Sequence, residues 1–153
     1  MAPANVWRRR PVQVDWRKVR DADAAGEMHR LEAALGSIAA DRGITDVVAF
    51  SDGDISRCLH TVGRVRRRLI DDAPQVTALR LRSRRLADEP RSFTDSVVSR
   101  IAALNRVRVT RPLRVEVELP LLHSSELTDE VARVVRRLRR RGVTVYAVIP
   151  LLA

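Results

Sequence analysis

Asp52 and Asp54 stand two apart in the run Ser51-Asp52-Gly53-Asp54. A carboxylate pair at that spacing can hold a cation, accept from an amine or raise one member's pKa. Capping of the next helix explains Asp54 equally well. Arg84, in Arg82-Ser83-Arg84-Arg85, offers a planar fork that suits a carboxylate or a phosphate; a solvated loop arginine is the competing reading. His123 precedes a helix start and has the chemistry of a general acid or base. No partner is fixed for it by spacing, and a structural role stands beside the chemical one. A cationic fork beside an acidic pair suits a small zwitterion such as an amino acid. Cys58 falls in the first turns of a helix and reads as a half-buried helix cysteine, while His29 and His60 read as ordinary helix-surface residues.

Composition narrows the classes. Cys58 is the single cysteine among 153 residues, which excludes an internal disulfide and any metal or iron–sulfur site built from several cysteines of this chain. The net charge is +10, which favours polyanionic partners in principle. Nearly all of that charge is arginine, however, with Lys18 as the only lysine, and alongside many alanines and valines it reads as a compositional preference. Aromatic residues make up 3%, too few for the stacking platforms of a single-strand binder. The run Arg136 to Arg141 reads as a solvated helix face, and nucleic acid is the less favoured partner. No segment has the length and apolarity of a membrane span, and the start MAPANVWRRR lacks the apolar stretch of a secretory signal. The expected location is the cytoplasm.

The elements that must position these residues keep a strand-then-helix period. Apolar runs at Ile44 to Phe50, Val76 to Leu81, Leu113 to Leu119 and Val143 to Ile149 are strand-sized, and the first is apolar almost throughout, as a parallel strand buried on both faces is. Helical spacing links Met28, Leu31, Leu35 and Ile38, then Ile55, Leu59, Val62, Val65 and Leu69, with Arg64, Arg66, Arg67 and Arg68 on the solvent side. Val97, Ile101 and Leu104 mark a third helix behind a Thr94 cap. Val131, Val134, Val135 and Leu138 mark a fourth behind a Thr128 cap, ended at Arg141-Gly142. The expected fold class is α/β: parallel βα repeats in a partial, half TIM-type barrel of about four strands with flanking helices. Residues 1–20 read as an arginine-rich N-terminal arm, within which Pro11 to Trp16 alternates like an edge strand, and 21–153 as the (β/α) domain. In such folds chemistry sits on the loops at the carboxyl ends of the strands, which is where Ser51 to Asp54, Arg84 and His123 fall.

The loops carry a resemblance. ITDVVAFSDGDI at 44–55 is similar to the strand and Ser-Gly-Gly-Asp-Pro loop of the lysine 2,3-aminomutase family of radical S-adenosylmethionine enzymes. LRLRSRRLADEPRSFT at 79–94 resembles that family's next strand and its Ser-Arg loop, and LPLLHSSELTDEVARVVRRLRRRGVTVYAVIPLL at 119–152 resembles its His-before-Glu-Leu-Thr segment. RRRPVQVDW at 8–16 is similar to the stretch just after the family's cluster-binding loop.

The resemblance implies that Ser51, Asp52, Gly53 and Asp54 contact S-adenosylmethionine, that Arg84 faces a substrate carboxylate, and that His123 and Glu126 sit on the same rim. The family's reaction is a 1,2-amino shift on a lysine-like amino acid, using S-adenosylmethionine, a [4Fe–4S] cluster and pyridoxal phosphate. This chain departs from that pattern: no cysteine lies in Ala2 to Trp7, where the cluster motif belongs, Asp52 replaces a glycine, and Ile55 replaces a proline. The chain also stops before the family's Gly-Val-Asn-Asp loop and its pyridoxal-phosphate lysine. The expectation is a truncated or degenerate aminomutase-like protein, inactive alone and carrying no cofactor. A homo-oligomer or a partner chain would complete the barrel, and a small amino acid is the candidate ligand. The alternative is a basic, non-catalytic binding or accessory protein for an acidic protein or a nucleic acid.

Overall fold

Val47, Ala49, Leu79, Leu81, Val115, Val117 and Leu119 occupy every second position of their strands, so all of them fall on one face of a pleated sheet, and all belong to a single buried core. The structure, a computed structural model, describes residues 11–15, 24–51, 54–106 and 113–149. Its strands are β1 (Pro11–Asp15), β2 (Asp46–Phe50), β3 (Ala78–Arg82), β4 (Arg114–Pro120) and β5 (Val145–Val148). They form one sheet in the order β1-β2-β3-β4-β5, and each neighbouring pair is parallel. The helices are α1 (Ala24–Ala40), α2 (Leu59–Asp72), the single turn α3 (Arg85–Asp88), α4 (Asp95–Arg106) and α5 (Asp129–Arg140).

Strand order that rises strictly with sequence, joined by right-handed crossovers, puts every connecting helix on the same face of the sheet. Leu35 and Ile38 of α1, Val62, Val65 and Leu69 of α2, Val98 and Ile101 of α4, and Val131, Val134 and Leu138 of α5 fill one core with the helix-facing strand residues. The chain is therefore α/β, a partial βα-repeat fold with the strand order of a section of (β/α) barrel. Among the described residues no helix is long and apolar enough to cross a membrane.

Local signals explain the element ends. Thr128 Oγ1 accepts from Val131 N at 3.3 Å and Thr94 Oγ1 from Val97 N at 3.4 Å, which caps α5 and α4 as their sequences suggest. Gly142 has φ +80 and lies where α5 stops, and Val143 N then donates back to Leu138 O at 3.1 Å. That left-handed position suits glycine, which has no Cβ to strain it.

Pro11 to Asp15 is strand β1, the edge strand its alternation suggests, paired with β2 from Pro11↔Asp46 to Asp15↔Phe50, so the β2 side of the sheet is covered. The structure departs from the sequence expectations at two places. Arg66 is not on the solvent side of α2; it is 6% exposed, and burial away from water lowers its pKa. Finally, β3 and β4 are apolar on one face only, because Arg80, Arg82, Glu116 and Glu118 occupy the other.

Candidate functional site

The loops leaving β2, β3 and β4 meet at the carboxyl end of the sheet, and two side chains tie them together. The loop after β2 closes through Asp54 N donating to Ser51 O at 3.0 Å. Asp54 then holds the left-handed backbone value φ 69, unusual for a residue with a side chain. What stabilises it there is a full set of donors. Oδ1 accepts from Ser56 N at 2.9 Å, capping the short turn Ile55–Arg57. Both oxygens accept from Ser83 Oγ, at 2.9 and 2.8 Å, and Oδ2 accepts from Arg85 N at 3.2 Å. Asp54 is thus a staple between the loops after β2 and β3, with no oxygen left over for an amine. Asp52 and Gly53 lie outside the described residues. Ser51 is half-buried and accepts a weak contact from Cys58 Sγ at 3.9 Å, which places Cys58 as a half-buried residue at the start of α2.

Arg84 joins the loop after β3 to the loop after β4. Its NH1 donates to Glu126 Oε2 at 2.8 Å and its NH2 to Glu126 Oε1 at 2.6 Å. NH1 also reaches Pro120 O at 3.2 Å, and Asp88 lies 2.9 Å from NH2. The fork that sequence assigned to a substrate carboxylate is therefore held by a carboxylate of the same chain. The short, two-pronged hydrogen bond from Arg84, reinforced by a bond from Leu122 N at 2.8 Å, lowers the Glu126 pKa from 4.5 to about 2. The same bond raises that of Arg84.

His123 is exposed and belongs to this loop without joining the Arg84 cluster. Its Nδ1 accepts from Ser125 N at 3.1 Å and lies 2.8 Å from Ser125 Oγ, capping the turn Ser124–Glu126. Accepting at Nδ1 leaves the proton on Nε2 of the neutral ring, directed away from the cap.

A second group of charged residues was not anticipated from sequence. On the sheet face opposite the helices, Arg80 on β3 bridges Asp46 of β2 at 2.8 Å and Glu116 of β4 at 3.1 Å. Arg82 pairs with Glu118 at 2.6 Å. The guanidinium carbons of Arg80 and Arg82 lie 5.1 and 5.8 Å from the ring centres of Tyr146 and Phe50, within cation–π range. Asp46 and Glu116 are 1% and 2% exposed, so the pairing with Arg80 offsets the cost of taking these carboxylates out of water. The signal was present in the alternation of Leu79-Arg80-Leu81-Arg82 and Val115-Glu116-Val117-Glu118, where opposite charges fall in register.

The donor chemistry of these residues does not fit a [4Fe–4S] cluster, which takes three or four cysteine thiolates from its host. Cys58 is the only thiol in the 153 residues, and among the described residues no group of three His, Cys, Asp or Glu side chains could hold a metal ion. Lys18, the only candidate for a pyridoxal-phosphate imine, lies outside the described residues. What the arrangement places at one end of a parallel sheet is a guanidinium fork already filled by Glu126 and, beside it, an exposed imidazole. In comparison with known proteins, the chain matches no protein-family model and no curated protein.

Proposed function

We propose that this chain is a degenerate relative of the lysine 2,3-aminomutase group of radical S-adenosylmethionine proteins, one that keeps a carboxylate-binding site at Arg84 and not the radical chemistry. The observation that carries the reading is the joining of the loops after β2, β3 and β4 at the carboxyl end of a sequentially ordered parallel sheet, through Asp54 on one side and Arg84 on the other. Ligand sites of such sheets lie at that end. The proposed ligand is an amino acid or the methionine end of S-adenosylmethionine, and the proposed setting is the cytoplasm.

In this reading Glu126 is an internal occupant of the ligand's place. An incoming carboxylate exchanges with it on the Arg84 fork, and Glu126 turns to water with the loop that carries it. Exchange of one carboxylate for another gains little, so affinity for the native chain is weak, about millimolar.

Calorimetric titration with lysine and with S-adenosylmethionine tests this on the native chain, Arg84→Ala and Glu126→Gln. Vacating the fork in Glu126→Gln is expected to tighten binding by about tenfold, equivalent to roughly 1.4 kcal/mol, and Arg84→Ala is expected to bind neither. Equal binding by the native chain and Arg84→Ala, or no binding by Glu126→Gln, removes Arg84 from any ligand site.

A further inference from the structure

Away from the strand ends, a groove of about 380 Å³ runs between α5 and the turn Pro90–Ser92. It is lined by five arginines (Arg91, Arg133, Arg136, Arg137 and Arg140) and a single acidic residue, Glu130, over an apolar floor of Pro90 and Val134. Positions 133, 136, 137 and 140 are the i, i+3, i+4, i+7 set of one helix face. Arg139, in the same charge run, is not among the lining residues.

The walls are fixed from within. Arg91 donates to Glu130 Oε1 through Nε at 2.9 Å and NH2 at 2.7 Å. Arg137 donates to Phe93 O at 2.7 Å and to Asp95 Oδ1 at 3.0 Å. These bonds tie the turn and the start of α4 to α5, and they occupy Glu130 and Asp95. Arg133 has only a long contact, at 3.7 Å, to Glu130 Oε1, the oxygen that Arg91 already holds. Among the described residues no hydrogen bond or ion pair holds Arg136 or Arg140. Three exposed guanidiniums are thus left facing one groove, spread over about 10 Å of helix at a rise of 1.5 Å per residue.

We propose that this groove is a docking surface for the phosphate backbone of a nucleic-acid duplex, independent of the Arg84 site. Guanidinium forks match phosphate oxygens in geometry and charge, and the spacing along α5, about 5 Å per helical step, sets out a line of cations rather than a cup for one compact anion. A duplex is favoured over a single strand because the groove offers no aromatic ring to stack a base; a duplex hides its bases and needs cations alone. Binding of this kind carries no sequence preference, and its dissociation constant at physiological salt lies at about 10⁻⁴ to 10⁻⁶ M.

The experiment is fluorescence anisotropy with a labelled duplex of about 20 base pairs, titrated at several salt concentrations, with poly-glutamate and a single strand as competitors. The variants are Arg136→Gln/Arg140→Gln in the groove, and Arg67→Gln/Arg100→Gln, which removes the same charge from exposed positions of α2 and α4. All four positions are exposed, and circular dichroism checks that each variant stays folded. The groove variant is expected to lose about tenfold or more in affinity and about two units of log–log salt slope, and the control variant to stay within about twofold of the native chain. Equal losses in the two variants would reduce the effect to net charge and overturn the proposal. So would the absence of duplex binding at low salt. Competition by poly-glutamate as strong as by unlabelled duplex would assign the groove to an acidic protein, and tighter binding of the single strand would remove the duplex as its partner.

Discussion

Arg84 and Glu126 meet fork to fork, at 2.8 and 2.6 Å, across 42 residues of sequence, and this one contact decides how the loops after β3 and β4 sit. Glu126 also takes the amide of Leu122, so its carboxylate organises its own loop while it neutralises the arginine of the next. A paired carboxylate of this kind ties loop geometry to pH.

The sign of that dependence is set by the lowered pKa. Glu126 falls from 4.5 to about 2 on folding, so its contribution to stability is complete above about pH 4.5 and is lost as pH falls through about 2. Thermal unfolding monitored from pH 6 to pH 2 should show a decline for the native chain over that window, and a shallower one for Glu126→Gln. Parallel profiles for the two proteins would mean that the pair contributes nothing that folding senses.

Asp54 should be the most sensitive position of the loop after β2. Asp54→Ala leaves the buried Ser83 hydroxyl, 1% exposed, and two backbone amides without their acceptor, at about 1–3 kcal/mol for a buried group left unsatisfied. Alanine also tolerates φ 69 less well than aspartate or asparagine. Asp54→Asn keeps the shape, the backbone preference and one acceptor, and should lose less than half as much by denaturant titration. Equal losses for the two substitutions would mean that the staple is not what holds the loop.

The strand–helix period was legible because burial writes itself into sequence at a fixed spacing: Val47, Leu79, Val115 and Val143 all lie in runs that are strand-sized and apolar. Caps at Thr94 and Thr128 and the stop at Gly142 were legible for the same reason, being local. What sequence could not display was contact across the sheet. Nothing near Arg84 announces Glu126, since the two are neighbours only once β3 and β4 are side by side. The charged face was legible in principle and was passed over because Leu79 and Leu81 outweighed Arg80 and Arg82 between and beside them. Counting alternation separately on each face, and then matching Arg80 to Glu116 and Arg82 to Glu118, recovers it.

Because Arg80 serves two buried carboxylates and Arg82 one, the two arginines should differ sharply in what they contribute. Arg80→Met takes the shared guanidinium from Asp46 and Glu116, whose side chains are 2% and 3% exposed, and breaking a buried pair in this way costs about 3–5 kcal/mol. Arg82 is 31% exposed and Glu118 6%, so water reaches part of that pair and Arg82→Met should cost about 1–2 kcal/mol. Urea denaturation of the two variants measures the difference directly. A larger loss for Arg82→Met would show that the β2–β3–β4 charge ladder is not the stronger element.

β5 is the remaining edge. It pairs with β4 and, among the described residues, with no other strand. Tyr146 is 39% exposed, Val148 42% and Ile149 59%, and Val145 to Ile149 contains no charge or proline to discourage pairing with another chain. Leu121 N donates to Val148 O at 2.9 Å, which fixes the end of the strand in an extended shape suited to accepting a neighbour. Self-association through this edge should therefore be concentration-dependent and should fall when a charge is placed on it. Val148→Lys puts an ammonium on the face opposite the helices, in register with Pro120, and leaves the residues of the buried core untouched. Sedimentation velocity over a wide concentration range should show the native chain associating and Val148→Lys shifted toward monomer by about tenfold in concentration, the equivalent of roughly 1.4 kcal/mol. The net charge of +10 works against two copies joined edge to edge, since it sets like charge against like charge. Raising the salt concentration should therefore strengthen association through this edge, the opposite of its effect on phosphate binding. Association that weakens with salt would place the contact elsewhere.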